Sequence, residues 1–205
     1  VTHERKLVET SETTIDLSFA NEYIGEKAKI SSGEIVLGDG AVTDGKLSVD
    51  LTKTSELGEL TLTVFSLKGQ IYYSFELNVV LATKVIRADK DWSSVHAVPA
   101  TTAAKESIYG YFVLANDIDF GGATFNETCT LGSYWENGFG FRGTFDGRNH
   151  TISNVKVGQG GLFGFVGKGA VIKDVKFDKV DYIGAYRGSL LGTSVNGATL
   201  SNIDV

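Results

Sequence analysis

Hydrophobic and polar residues alternate over most of the first half of the chain. Ile15, Leu17 and Phe19 are each separated by one polar residue, as are Leu47, Val49 and Leu51, and then Leu60, Leu62 and Val64. A period of two sends successive side chains to opposite faces of an extended strand, one face buried and one wet. The last of these runs meets Leu67-Lys68-Gly69-Gln70 and returns as Ile71, Tyr73, Phe75, Leu77 and Val79. This predicts a hairpin closed by a glycine able to adopt positive φ. Short strands are also expected near residues 29–31 and 34–37. Strands separated by Gly, Asp and Ser turns, with no helical period competing, predict a β-sandwich over residues 13–86.

The alternation stops around residues 84–105. Charges cluster at Arg87, Asp89, Lys90 and Asp91, and the alanine-rich stretch 92–104 predicts a short helix interrupted at Pro99. The domain boundary is placed at about residue 85, giving units 1–85 and 86–205. An amphipathic segment around Trp92 is expected to cap the open end of the second unit, where strand edges and interior would otherwise be bare.

The second unit repeats itself. Gly161-Leu162-Phe163-Gly164 corresponds to Ser189-Leu190-Leu191-Gly192 at an offset of 28 residues, and the match runs on without a gap. Gly169-Ala170-Val171-Ile172 falls on Gly197-Ala198-Thr199-Leu200, and Asp174-Val175-Lys176-Phe177 on Asn202-Ile203-Asp204-Val205. Thr151-Ile152-Ser153-Asn154-Val155-Lys156-Val157 reads as an earlier, shorter copy. Stacking the copies would bury the apolar columns that no single copy could bury alone. Asn154, Asp174 and Asn202 interrupt the alternation, and such side chains tolerate left-handed backbone, so one polar ladder at one corner is expected. The outward positions are expected to form the columns Lys156, Lys176, Asp204 and Ser153, Lys173, Ser201.

The patterning of the first unit resembles the bacterial immunoglobulin-like domains of surface proteins. In the second, Tyr111-Phe112-Val113-Leu114-Ala115-Asn116-Asp117-Ile118-Asp119-Phe120 precedes Phe141-Arg142-Gly143-Thr144-Phe145-Asp146-Gly147, His150-Thr151-Ile152 and Gly161-Leu162-Phe163-Gly164. This series resembles the opening of pectate-lyase-like β-helices that carry GLUG repeats, over residues 109–205. The resemblances imply an all-β chain, an immunoglobulin-like β-sandwich followed by the N-terminal rungs of a right-handed parallel β-helix continuing beyond Val205. They also imply an extracellular, cell-surface location and a mainly architectural role.

Composition narrows the function further. A net charge of −6 and the absence of any basic run disfavour nucleic acid. Cys129 is the only cysteine, which excludes an intrachain disulfide and a Cys/His zinc site. No apolar run reaches membrane-spanning length, so no membrane insertion is expected within these residues. The glycine-rich stretch from Gly158 to Gly169 fails the dinucleotide and Walker spacings, because Phe163 stands where a glycine is needed and Gly169 follows Lys168.

No catalytic residue is assigned. His3, His96 and His150 are scattered, and none accompanies a serine or cysteine in a nucleophile motif. The Asn126 and Asn149 glycosylation patterns are given no role. No cofactor is expected, with calcium the one ion to which Asp117, Asp119 and Asp146 offer oxygen ligands. Tyr134, Trp135 and Phe139, in the irregular insertion before Phe141, are the candidate ligand-binding residues, since a sugar ring stacks its C–H face on an aromatic ring. The resulting expectation is a non-enzymatic stalk or adhesion module whose partner is an extracellular glycan or a host or cell-surface protein. The alternatives are a carbohydrate-binding module, or the N-terminal part of a β-helix polysaccharide lyase or glycoside hydrolase.

Overall fold

The computed structural model describes residues 1–2, 6–95, 108–125, 140–158, 160–183, 189–192, 194–195 and 197–205. It divides into two compact units, Val1–Thr83 and Lys84–Val205. Strands are the dominant element among the described residues, with one short α-helix and two 3-10 turns, so the chain is all-β.

The first unit contains β1 (Leu7–Glu9), β2 (Thr14–Ser18), β3 (Lys27–Ser32), β4 (Ile35–Ala41), β5 (Lys46–Asp50), β6 (Gly58–Lys68) and β7 (Ile71–Ala82). Five strands form a sheet in the order β1-β7-β6-β3-β4, and β2 pairs with β5 in a second sheet of two. All pairs are antiparallel except β1 with β7. The alternation determines which side is covered: Ile15, Leu17 and Val49 of the small sheet share a core with Ile30, Leu60, Leu62 and Val64 of the large one. The β6–β7 hairpin pairs Lys68 with Ile71 across Gly69-Gln70. Gly69 has φ +61°, the positive value that the first central residue of a two-residue primed turn needs.

The second unit contains β8 (Lys84–Ile86), α1 (Asp89–Val95), β9 (Tyr111–Leu114), β10 (Ile118–Phe125), β11 (Thr144–Val157), β12 (Phe165–Val166), β13 (Val171–Tyr182), β14 (Ser194–Val195) and β15 (Thr199–Asp204). The main sheet runs β15-β13-β11-β9-β8, with β10 also paired to β11, and β12 pairs with β14; every one of these pairs is parallel. Val171 pairs with Thr199 and Val175 with Ile203, so the strands carry the 28-residue offset seen in the sequence. The Leu162 and Phe163 N–H groups donate to the Leu190 and Leu191 carbonyls at the same offset, 3.0 and 2.8 Å away.

The shorter copy is registered differently from expectation. Thr151–Val157 does not lie beside Val171–Phe177. Phe145 pairs with Ile172, and Ile152 with Phe177, because β11 places three residues between Asp146 and His150 where β13 places one between Lys173 and Val175, two more than its partner. Asn154, Asp174 and Asn202 all have left-handed backbone, with φ of +54°, +53° and +51°. They nevertheless occupy two corners. Asp174 and Asn202 stack at one, whereas the β11–β13 register sets Asn154 beside Lys179, which also has positive φ, +53°. In the expected outward columns Lys176 neighbours Asp204 and Lys173 neighbours Ser201, but the first members shift: Thr151 stands beside Lys176, Asp146 beside Lys173, and Lys156 beside Asp181.

Helix α1 spans Asp89–Val95; the rest of the stretch expected to be helical, with Pro99, lies outside the described residues. Asp91 holds the start of α1 by accepting the Arg87 and Ala88 backbone N–H groups at 2.8 and 3.1 Å. Trp92 is fully buried and meets Phe120, Phe125, Phe145 and Phe163 edge-on, with ring centroids 5.7 to 5.8 Å apart. Its indole therefore fills the interior of the parallel unit, in the tilted geometry aromatic quadrupoles favour.

Candidate functional site

Three clusters of charged side chains stand out in the parallel unit. At the first, Asp117 accepts the Thr151 backbone N–H at 2.8 Å and lies 3.2 Å from His150 Nδ1. The Thr151 N–H and then His150 hold its carboxyl below the ordinary value. At the second, Asp119 accepts Asn154 Nδ2 and the Gly121 N–H, both at 2.7 Å, and the same two donors lower its pKa in that order. A matching bond joins Asn202 Nδ2 to Asp174 at the other corner, 2.7 Å. An amide from one strand thus bridges to a carboxylate on its neighbour at each corner, which stabilises the left-handed turn and the lateral register together.

The third cluster is centred on Asp146, whose side chain is only 4% exposed. It accepts the Tyr111 hydroxyl at 2.6 Å and the Arg148 N–H at 2.9 Å, and Lys173 Nζ lies 3.1 Å away. Burial pushes this carboxyl up, but the Tyr111 hydroxyl, the Arg148 N–H and the Lys173 ammonium outweigh it and the pKa is lowered. A depressed folded-state pKa adds stability that is complete above the unfolded carboxyl value, near 4, and is lost as pH falls through the folded value. Asp146→Asn is therefore expected to cost about 2 kcal/mol at neutral pH, since Lys173 loses the nearer of its two carboxylate partners and keeps only Asp174, 3.7 Å away. In thermal melts the gap between variant and wild type should be constant above about pH 5 and close below about pH 4. A gap unchanged down to pH 2 would show that the charge contributes nothing.

An open groove of about 690 Å³ runs beside the second cluster, lined by Gly121, Gly122, Asn154, Lys156, Lys179 and Asp181 among others. Among the described residues it presents two ammonium groups and one carboxylate and no aromatic ring. Such a surface can hold hydroxyl or carboxylate oxygens, and it has no pair of closely facing carboxylates of the kind acid–base cleavage of a glycosidic bond uses.

Asp117, Asp119 and Asp146 are thus held by three separate sets of donors. Among the described residues no three His, Cys, Asp or Glu side chains gather closely enough to bind a metal ion. His150 is spent on Asp117. Tyr134, Trp135 and Phe139 lie outside the described residues, as do Cys129, His3, His96 and Asn126. The sequence reading missed the Tyr111–Asp146–Lys173 cluster and the groove. Both join neighbouring parallel strands, and only the correct β11–β13 register would have revealed them. No helix among the described residues is long and apolar enough to cross a membrane. No family model, curated protein or solved structure matches the chain.

Proposed function

We propose that the chain is a non-enzymatic extracellular surface module, an immunoglobulin-like sandwich joined to rungs of a right-handed parallel β-helix, acting as a stalk or adhesion segment. The observation that carries this reading is how the polar side chains of the parallel unit are used. Asn154 bridges to Asp119, Asn202 to Asp174, and Tyr111 and Lys173 to Asp146, each bond crossing from one strand to the next. Groups that hold neighbouring rungs in register serve architecture, whereas a catalytic centre needs groups directed at a substrate with perturbed proton affinities suited to transfer. Seven strands in two sheets around one core support the sandwich half of the reading. The 28-residue parallel register supports the coil half.

The competing reading is a polysaccharide lyase or hydrolase working in the groove of Lys156 and Lys179. The two are separated by incubating the purified chain with polygalacturonate, xylan and cellulose, with and without calcium, and assaying new chain ends. The surface-module reading expects no more ends than a heat-denatured control. Turnover that disappears in a Lys156→Ala, Lys179→Ala double variant would replace it with the enzymatic one.

A further inference from the structure

We propose that the outward face of the β6–β7 hairpin binds a neutral oligosaccharide, with Tyr72 and Phe65 as its stacking rings. The site goes beyond the surface-module reading and requires nothing of the parallel unit. The hairpin register places Leu67 directly opposite Tyr72 and Phe65 opposite Ser74, so these side chains share one face, with Phe65 diagonal to Tyr72. Tyr72 is 79% exposed and Phe65 46%. Neither ring is needed by the core. The unit's packed aromatics, Tyr23, Tyr73 and Phe75, belong to the opposite face, where Tyr73 and Phe75 meet Tyr23 edge-on at 5.8 and 6.2 Å.

The surroundings select the occupant. Lys29 and Asp39 lie in the same lateral row as Phe65, while Ser74 and Glu76 follow Tyr72 on its own strand, all of them exposed. Among the described residues, β7 also has no strand partner on its far side before Val80, which leaves backbone N–H and C=O groups beside Tyr72. Flat rings rimmed by donors and acceptors suit a sugar, whose C–H face stacks while its hydroxyls hydrogen-bond. The apolar part is three side chains, far short of the ~800 Å² per partner that a stable protein interface buries. The net charge of −6 disfavours a polyanionic glycan.

The test titrates the full chain with cellohexaose and chitohexaose, and with hexagalacturonate as the acidic comparison, following aromatic proton shifts and the binding isotherm. Saturable binding of a neutral hexaose is expected. It should weaken about tenfold in Tyr72→Ala and stay near wild type in Tyr72→Phe, with both variants melting as wild type does. No binding of either neutral sugar at millimolar concentration would overturn the proposal, as would equal binding by Tyr72→Ala or a preference for hexagalacturonate. Self-association abolished by Tyr72→Ala without any sugar binding would overturn it too, by assigning the face to a second copy. None of these results bears on the surface-module reading, which rests on product release.

Discussion

Trp92→Ala should destabilise the parallel unit by about 4 kcal/mol, the range measured when a buried large aromatic is truncated without collapse of the site. The cavity would be bounded by Phe120, Phe125, Phe145 and Phe163, four rings from β10, β11 and the turn before β12. These rings are held by two hydrogen-bonded strands and by a turn whose backbone is itself hydrogen-bonded to Leu191, and they cannot all move inward to fill the space. A fall of the unfolding midpoint on the order of 15 °C is expected for a unit of this size. Trp92→Phe keeps most of the ring contacts and should recover more than half of the loss. Both Trp92 and Trp135 belong to the second unit, so tryptophan emission during heating follows that unit alone. A midpoint for Trp92→Ala within a few degrees of wild type would mean that the indole is not the centre of this core.

Gly161→Ala should cost about 3 kcal/mol through a different mechanism. Gly161 has φ +61°, and a Cβ there would meet the Ser189 carbonyl oxygen, with Gly192 N and Leu190 O each 2.9 Å away. These are backbone atoms of the segment 189–192, so no rotamer change relieves the clash. Gly169 provides the internal control, since its φ is +87° but open space surrounds the position of its Cβ. Gly169→Ala should therefore cost only the left-handed penalty, about 1 kcal/mol. Chemical denaturation of the two variants tests the contrast. Equal losses would show that backbone conformation alone, and not the approach of the backbone of residues 189–192, makes Gly161 necessary.

Much of this arrangement is legible in the residue pattern. The hairpin turn at Gly69-Gln70 fixes the pairing of every residue from Gly58 to Leu81, including the off-phase Phe65 and Tyr72. Those two were readable as outward-facing aromatics, but the irregular insertion around Trp135 drew the sugar-binding expectation away from them. The 28-residue offset is equally plain because the last two copies have equal length. The first copy is obscured by Gly147-Arg148-Asn149, where Arg148 and Asn149 both have positive φ and lengthen the corner without disturbing either flanking strand. A gapless comparison then slides Ile152 onto Ile172 when its lateral neighbour is Phe177. The Asp146 cluster was hidden by the same slip, since the sequence offers Asp146 only as an oxygen ligand for calcium and only the true register sets Lys173 beside it.

The pairing of β1 with β7 bears on the order in which the two units can form. Leu7 meets Val80, so the first strand of the antiparallel unit has no place to dock until its last strand exists. In the parallel unit β15 waits only for β13, whose register lies 28 residues earlier. Closing the longer loop costs roughly 1 kcal/mol more than closing that one. On a ribosome β1 therefore joins the antiparallel unit only after β7 has emerged, while β15 can pair with β13 as soon as it is made.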